Sequence, residues 1–216
     1  MNVKYIVCPH SGERMSFYGL GDIHFGSPQC DIDKLRQDVR KIMADPDARV
    51  LLMGDLIDSI IPGDKRYRNG AVAGAVDDII DNDINGVCLI LGAIRDKIIG
   101  VLTGNHEDKI TQCHGTNPGK RIAERLGAPF LGYTTLLRLD LRGPLGSRLV
   151  DVFASHGHGG STKTVGGSLS SFDRSRSAID ADLYLFGHVH RRQATKEVQL
   201  AWGTAKAPMF RTKMLG

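Results

Sequence analysis

The sequence lacks the features that mark a thiolate metal site, a membrane span or a base-reading nucleic-acid module. Its four cysteines, Cys8, Cys30, Cys88 and Cys113, form no CxxC pair, so we expect reduced, structural cysteines in a cytoplasmic protein. We expect no secretory leader and no membrane partner, because no apolar run reaches the roughly 20 residues that a span needs. Aromatic residues make up only 6% of the chain, and there is no RNP motif, zinc finger or aromatic stacking run.

Length and charge set broad limits. At 216 residues the chain is expected to form one domain, residues 1–216, with a substantial core. Its net charge of +4 is compatible with an anionic substrate but does not single out nucleic acid. There is no internal repeat, low-complexity tract or convincing linker.

Six of the eight histidines lie in short polar clusters, each of which follows an apolar run and has a glycine in or beside it. The clusters are Gly21-Asp22-Ile23-His24, Gly54-Asp55-Leu56-Ile57-Asp58, Gly104-Asn105-His106-Glu107, Ser155-His156-Gly157-His158-Gly159 and Gly187-His188-Val189-His190. Because open α/β sheets place their sites at the carboxyl ends of strands, five such clusters predict one shared rim lined with metal ligands.

The hydrophobic pattern predicts an α/β fold, with a two-sheet sandwich flanked by helices as its form. Strands are expected at 4–7, 15–20, 49–53, 98–102, 130–141, 148–154, 182–186, 194–200 and after Trp202, and helices at 31–45, about 71–96 and 119–126. Gly86 and Gly92 argue against one continuous helix over 71–96, because glycine inside a helix destabilises it. This stretch is most simply part of the core, and a contact between identical subunits in a homo-oligomer is the alternative.

The side chains in these clusters suit a borderline divalent ion such as Mn, Fe, Zn, Co or Ni. Asp22 and His24 share one face of an extended strand end, as do His188 and His190, because alternate residues point the same way. There are seven candidate ligands, too many for one ion and about right for two: Asp22, His24, Asp55, Asn105, His156, His188 and His190. Two ions about 3.5–4 Å apart suit in-line displacement at phosphorus, and a water bridging them would be hydroxide at neutral pH.

The ordered set of these motifs, from residue 21 to 190, resembles the calcineurin-like metallophosphoesterase family. The resemblance implies a sandwich of two mixed sheets flanked by helices, with two divalent metals, of which Mn is expected and Fe, Zn, Ni, Co or Mg are the alternatives. It implies that Asp22, His24 and His190 hold one metal and that Asn105, His156 and His188 hold the other. Asp55 would bridge the two.

The resemblance also implies the role of His106, and the residue types themselves suggest roles for its neighbours. His106 would be the catalytic histidine, which contacts the phosphate and protonates the leaving oxygen after attack by the metal-bridging hydroxide. Asn105, His106 and His158 are the expected substrate-binding residues, although His158 could equally face solvent. Asp58 is expected to orient a ligand rather than bind metal. Glu107 is expected to be a helix-start carboxylate rather than a catalytic base.

The expected activity is hydrolysis of phosphodiesters, with nucleic acid or nucleotides as the substrate class and a nuclease as one form. Two polar loops, at 62–70 and 159–177, carry basic residues that could contact a phosphate backbone: Lys65, Arg66, Arg68, Lys163, Arg174 and Arg176. A phosphomonoesterase or protein phosphatase is the first alternative, and a metal-binding scaffold without catalysis is the second. Only 26 residues follow His190, where many members of the resembled family have more strands. We therefore expect that the last part of the fold is abbreviated or supplied by a partner, or that the chain is a fragment.

Overall fold

The computed structural model describes residues 1–12, 14–58, 60, 78–158, 178–190, 193–202 and 208–216. The predicted basic loop at 62–70, the first residues of the predicted helix at 71–96 and the predicted loop at 159–177 lie outside these ranges. Arg191 and Arg192 lie outside them as well.

The described residues form ten strands and four α-helices. The strands are β1 (Asn2–Pro9), β2 (Ser16–Leu20), β3 (Ala48–Leu52), β4 (Ile98–Leu102), β5 (Phe130–Gly132), β6 (Thr134–Gly143), β7 (Gly146–Ser155), β8 (Leu183–Phe186), β9 (Thr195–Trp202) and β10 (Pro208–Leu215). The helices are α1 (Ile32–Ala44), α2 (Ile79–Leu91), α3 (Asn105–His114) and α4 (Pro118–Leu126), and a 3₁₀ helix, Gly92–Lys97, continues from α2.

The strands make two sheets. One sheet has four parallel strands in the order β2-β3-β4-β5. The other has six strands in the order β1-β6-β7-β8-β10-β9, in which β6 and β7 are antiparallel, β9 and β10 are antiparallel, and the remaining neighbours are parallel. This mixed α/β architecture with two sheets confirms the general fold class that the sequence predicts.

The four-stranded sheet is buried on both faces, as parallel sheets usually are. On one face, Val50 and Leu52 pack in a cluster with residues of α1, α2 and α4. On the other face, Leu51 packs in a second cluster with Leu137 of β6 and Val152 of β7. Because successive strand residues point to opposite faces, β3 places alternate residues in the two cores. The layers are therefore helices, four-stranded sheet and six-stranded sheet.

Two predicted elements differ from the structure. The strand expected at 130–141 is two strands in different sheets, because Gly132 has a φ of +74° and turns the chain between β5 and β6. The helix expected to run to residue 96 ends as α-helix at Leu91 and continues as a 3₁₀ helix in which Ile94 leaves helical geometry. For α3 the sequence predicts only a helix start near Glu107, and the structure shows that the helix runs from Asn105 to His114. No helix in the described ranges is long and apolar enough to cross a membrane.

Candidate metal centre

The site is built from the segments that follow strand ends in both sheets. Asp22, Asp55 and Asn105 come after β2, β3 and β4, whose carboxyl ends lie at one edge because the strands are parallel. His156 follows β7 and His188 follows β8, which are also parallel to each other. The two sheets therefore deliver polar side chains to a common rim, as open α/β sheets do.

Backbone hydrogen bonds tie the first two segments together. The Asp22 N–H donates to the Gly54 carbonyl at 3.0 Å, and the His24 N–H donates to the Asp55 carbonyl at 3.0 Å. The Asp58 N–H donates to the Phe25 carbonyl at 2.8 Å. This pairing continues the register of β2 and β3 beyond their ends and fixes Asp22, His24 and Asp55 side by side.

The backbone at the candidate ligands is held in an unusual conformation. Six non-glycine residues in the described part of the chain have positive φ, and five of them are predicted ligands: Asp22 (50°), His24 (49°), Asp55 (47°), His188 (72°) and His190 (49°). Such conformations cost of order 1–3 kcal/mol each and cluster at functional sites, where surrounding structure enforces them. Their concentration at this rim makes it the candidate functional site.

Two glycines let the segments after β3 and β4 touch. Gly54 has a φ of +88°, and a Cβ there would lie 2.6 Å from the Gly104 nitrogen. A Cβ on Gly104 would lie 2.1 Å from Asp55 Oδ1. The close approach allows the His106 N–H to donate to Asp55 Oδ1 at 2.9 Å. The glycines therefore place the Asp55 carboxylate against the start of α3.

Glu107 holds the same two segments from behind. Its carboxylate is fully buried and accepts four backbone N–H groups, those of Asp55 (3.1 Å), Leu56 (2.7 Å), Ile57 (3.2 Å) and Gly104 (2.8 Å). Burial and the nearby charge of Asp55 raise the pKa of Glu107, and the N–H groups of Gly104, Ile57 and Leu56 oppose that rise. Glu107 therefore binds loop backbone and does not face the rim, which agrees with the expected helix-start carboxylate.

One group of candidate ligands contains Asp22, His24 and His190, each of which offers an atom within 4.8 Å of the others. The Nε2 atoms of His24 and His190 are 3.1 Å apart, and His190 Nε2 lies 3.6 Å from Asp22 Oδ1. His24 Nδ1 is buried and lies 3.3 Å from Asp58 Oδ1 without a well-formed hydrogen bond.

A second group contains Asn105, His156 and His188. Asn105 Oδ1 lies 3.1 Å from His156 Nε2 and 2.7 Å from His188 Nδ1. His156 Nδ1 lies 2.9 Å from the Met53 carbonyl. Because a carbonyl can only accept, Nδ1 is the donor, and Nε2 is the nitrogen that faces the centre. Such an outer hydrogen bond is what orients a histidine that binds metal.

Asp55 lies between the groups. Its Oδ2 is 3.2 Å from His156 Nε2 and 3.8 Å from His24 Nε2. Burial raises the pKa of Asp55, but hydrogen bonding and charge attraction from His156 outweigh burial and leave the pKa below its usual value. Burial likewise lowers the pKa of His156, and Asp55 outweighs it, so that pKa is raised. Asp55 is therefore an ionised oxygen donor shared by the two groups.

Half of the separations between these donor atoms fit metal coordination. Two ligands at about 2.1 Å from one ion lie roughly 3.0–3.4 Å apart in octahedral or tetrahedral geometry. The separations of 3.1 Å between His24 and His190, 3.1 Å between His156 and Asn105, and 3.2 Å between His156 and Asp55 fall in this range. The 2.7 Å between Asn105 and His188 is shorter, and the 3.6 Å between Asp22 and His190 and the 3.8 Å between His24 and Asp55 are longer. Imidazole nitrogens with carboxylate and amide oxygens suit a borderline divalent ion.

His106 and Asp58 form a pair beside the first group. His106 Nδ1 donates to the Asp58 carbonyl at 2.7 Å and lies 3.3 Å from the Asp58 carboxylate. The rings of His106 and His24 meet edge to face with centroids 4.5 Å apart. Burial raises the pKa of Asp58, but His106 and His24 outweigh burial and lower it. Asp58 lies where it can orient both imidazoles.

A cleft of about 460 Å³ opens at the first group. Its wall includes Asp22, His24, His190, Asp58 and His106, and also residues that the sequence patterns did not single out as site residues: Ile23, Ser27, Gln29, Cys30 and Asp31. Tyr133, also missed, packs edge to face on His156 at 5.6 Å and donates to the Gly157 carbonyl. Burial and the charge of Asp55 raise the pKa of Tyr133 to about 12.

The remaining predicted site residues lie away from this cluster or outside the described ranges. His158 is exposed, and no hydrogen bond or ion pair joins it to the other described residues of the site. The basic residues of the two predicted loops are outside the described ranges. Comparison with protein-family models matches no family, and comparison with curated proteins finds no match.

Proposed function

We propose that this protein is a dinuclear-metal-dependent phosphoesterase of the calcineurin-like type, which hydrolyses phosphodiester bonds. The observation that supports this most directly is the position of the Asp55 carboxylate between the two groups, with its Oδ2 atom 3.2 Å from His156 Nε2 and 3.8 Å from His24 Nε2. The stacking of two sheets, with helices packed on the four-stranded one, agrees with part of the arrangement that this resemblance implies, although that sheet is parallel where the resemblance implies a mixed one.

Each group would hold one ion. Asp22, His24 and His190 would bind one, Asn105, His156 and His188 would bind the other, and Asp55 would contribute to both. When bound, two such ions lower the pKa of a coordinated water and stabilise charge on the phosphoryl oxygens. The protein fixes these ligands in advance through positive-φ backbone and through the four hydrogen bonds of Glu107.

His106 would supply the proton for the leaving oxygen. Its Nδ1 proton is committed to the Asp58 carbonyl, so the proton that moves is the one on Nε2. A His106 protonated on both nitrogens donates from Nε2 and returns to the neutral Nδ1–H form without breaking that hydrogen bond. His106 lines the cleft that a phosphodiester would enter.

Nucleic acid or a nucleotide is the substrate class that we favour. The support comes from the sequence, which has a net charge of +4 and two basic loops flanking the predicted site. The sequence carries no RNP motif, zinc finger or aromatic stacking run that would select a particular base.

The first test is hydrolysis of bis-p-nitrophenyl phosphate by the chelator-treated protein, with Mn²⁺, Ni²⁺, Co²⁺, Zn²⁺ or Mg²⁺ restored separately. We expect turnover with at least one ion and none with the chelator alone. Asp55→Asn should abolish it, and His114→Ala, which changes a histidine exposed at the end of α3, should not. Absence of turnover with all five ions would contradict the proposal.

The second test concerns the substrate and compares single-stranded DNA, RNA, cyclic nucleotides and phosphopeptides at equal concentration. We expect cleavage of at least one nucleotide diester with a larger kcat/KM than any phosphopeptide. Preference for the phosphopeptide would refute the nucleotide assignment and leave the metal-dependent chemistry standing.

A further inference from the structure

The helix α2 touches the segment that carries His24. Phe25, the next residue, lies with its ring against the backbone of Gly86, in the middle of α2. A Cβ at Gly86 would lie 2.2 Å from Phe25 Cε1 and 2.4 Å from Cζ, whereas ordinary contact begins near 3.4 Å. The absence of a side chain at Gly86 is therefore what allows the ring to reach the helix.

A second contact lies one turn away on the same face of α2. Gly26 has a φ of +94°, and a Cβ there would lie 2.2 Å from Asp83 Oδ1. Residues three apart on a helix are neighbours on its surface, so Asp83 and Gly86 present adjacent features. Consecutive residues of the loop, Phe25 and Gly26, thus fit two adjacent positions on α2.

The opposite side of the loop is fixed by backbone pairing. The Phe25 N–H donates to the Leu56 carbonyl at 3.0 Å, and the Phe25 carbonyl accepts from the Asp58 N–H at 2.8 Å. These bonds form an isolated bridge between Phe25 and Ile57. Phe25 is thereby held between α2 and the segment after β3, and His24 is attached directly to it.

His24 needs such support, because its own conformation is constrained. Its φ is 49°, a value that a histidine rarely adopts. Its Nε2 lies 3.1 Å from His190 Nε2, on a segment far along the chain. A small rotation of the loop at Phe25 would change that separation, while Asn105, His156 and His188 have no contact with Phe25 among the hydrogen bonds of the described residues.

We propose that Phe25 and Gly86 form a positioning contact that sets the location of His24 and tunes metal affinity at the Asp22–His24–His190 group far more than at the other group. This inference depends on the proposed function, since it takes His24 as a ligand. Gly86 is then retained inside a helix for the sake of the site, although alanine is the better helix former there.

The perturbation is Gly86→Ala. The added methyl group must displace the Phe25 ring. Because the N–H and the carbonyl of Phe25 are both hydrogen-bonded, we expect the ring and the peptide that joins Phe25 to His24 to move. Gly92→Ala is the matched control, because nothing lies within 4 Å of a Cβ at that position at the end of α2.

The experiment is titration of the metal-free protein with Co²⁺, followed by absorption spectroscopy and calorimetry, with His190→Ala and His156→Ala marking each group. We expect two ions in the wild type and in Gly92→Ala. Gly86→Ala should bind one ion normally and the other roughly 10–100-fold more weakly, the range typical of residues that orient ligands. Its spectrum should resemble that of His190→Ala and differ from that of His156→Ala.

Phe25→Ala and the double variant complete the test. Phe25→Ala should weaken the same group, and Phe25→Ala/Gly86→Ala should be no worse than Phe25→Ala, because the methyl group then meets no ring. If circular dichroism shows that Gly86→Ala is unfolded, Phe25→Ala alone tests the proposal. It should then show the same selective loss of metal affinity at the Asp22–His24–His190 group.

The proposal is overturned if folded variants bind both ions as the wild type does, if both groups weaken equally, or if the two substitutions add independently. Failure of the wild type to bind two ions is a separate result, which would overturn the proposed function itself.

Discussion

Replacement of Glu107 by glutamine should destabilise the folded protein strongly, because the carboxylate is satisfied entirely by backbone donors. Each Glu107 oxygen accepts two N–H groups: Oε1 those of Leu56 and Ile57, and Oε2 those of Asp55 and Gly104. Glutamine keeps one acceptor oxygen and turns an NH₂ group toward the other pair. Two buried N–H groups would then face a donor.

The expected size follows from that count. A buried polar group left without a partner costs about 1–3 kcal/mol, so two such groups cost roughly 2–6 kcal/mol. That is a large share of the roughly 5–15 kcal/mol that separates folded from unfolded states in most domains. The displaced segments carry Asp55 and the start of α3, so metal affinity should fall at both groups of the centre.

The assay is urea unfolding of the metal-free protein, extrapolated to water, for the wild type and Glu107→Gln. Glu124→Gln, which changes an exposed carboxylate on α4 that lies 3.9 Å from Lys120, is the control and should cost under about 0.5 kcal/mol. A loss below about 1 kcal/mol for Glu107→Gln would show that the carboxylate does not hold the two segments together. Unchanged stability with lost turnover would instead indicate a catalytic base.

Three further predictions concern chemistry and pH. His106→Ala should keep both ions but lower kcat/KM on a nucleotide diester by roughly 10²–10⁴-fold. The loss on a nitrophenyl ester should be far smaller, because nitrophenolate leaves without a proton. Equal losses on both substrates would mean that His106 acts by stabilising the phosphate. Asp55→Asn should weaken both ions, as measured by metal analysis after dialysis, and loss of only one would contradict its shared position. Asp140, whose pKa is lowered from 3.8 to about 2 by hydrogen bonds from Ser147 and its other neighbours, should stabilise the fold fully above about pH 4 and lose that contribution as the pH falls through about 2. The stability difference between the wild type and Asp140→Asn, from urea titrations at pH 2–7, should therefore shrink on acidification, and a constant difference would show that ionisation of Asp140 is not responsible.

The meeting of these polar clusters at one rim was predictable because its signal is local. A polar cluster that ends an apolar strand can be seen in the sequence, and the parallel order of strands brings such ends together. Asp22, Asp55 and Asn105 each follow a strand that the pattern predicts, so their meeting required no knowledge of distant contacts. The hydrophobic pattern also predicts β3 and β4: β4 is apolar and buried throughout, and β3 is apolar and buried except at Arg49.

The parts that were missed depend on contacts between residues far apart in the chain. The sequence does not show that the Glu107 carboxylate accepts N–H groups from the segment after β3. It also does not show that Gly86 makes room for the ring of Phe25, which follows β2. Gly132 separates two strands that read as one, because the residues on both sides have strand-like composition and only its φ reveals the turn. The helix α3 begins inside the polar cluster, and although Glu107 indicates a helix start, the residues after it carry no clear hydrophobic pattern from which the length of the helix could be predicted.

The distribution of the ligands along the chain has a consequence for the order of events during synthesis. His24 meets His190 across nearly the whole chain, and Asn105 meets both His156 and His188. A nascent polypeptide that has emerged only as far as α4 contains Asp22, His24, Asp55 and Asn105, yet it completes neither group. Contacts of such high sequence separation form late and slowly. Metal binding would therefore take place only after the whole chain has folded. The growing polypeptide would leave the ribosome without a complete metal site.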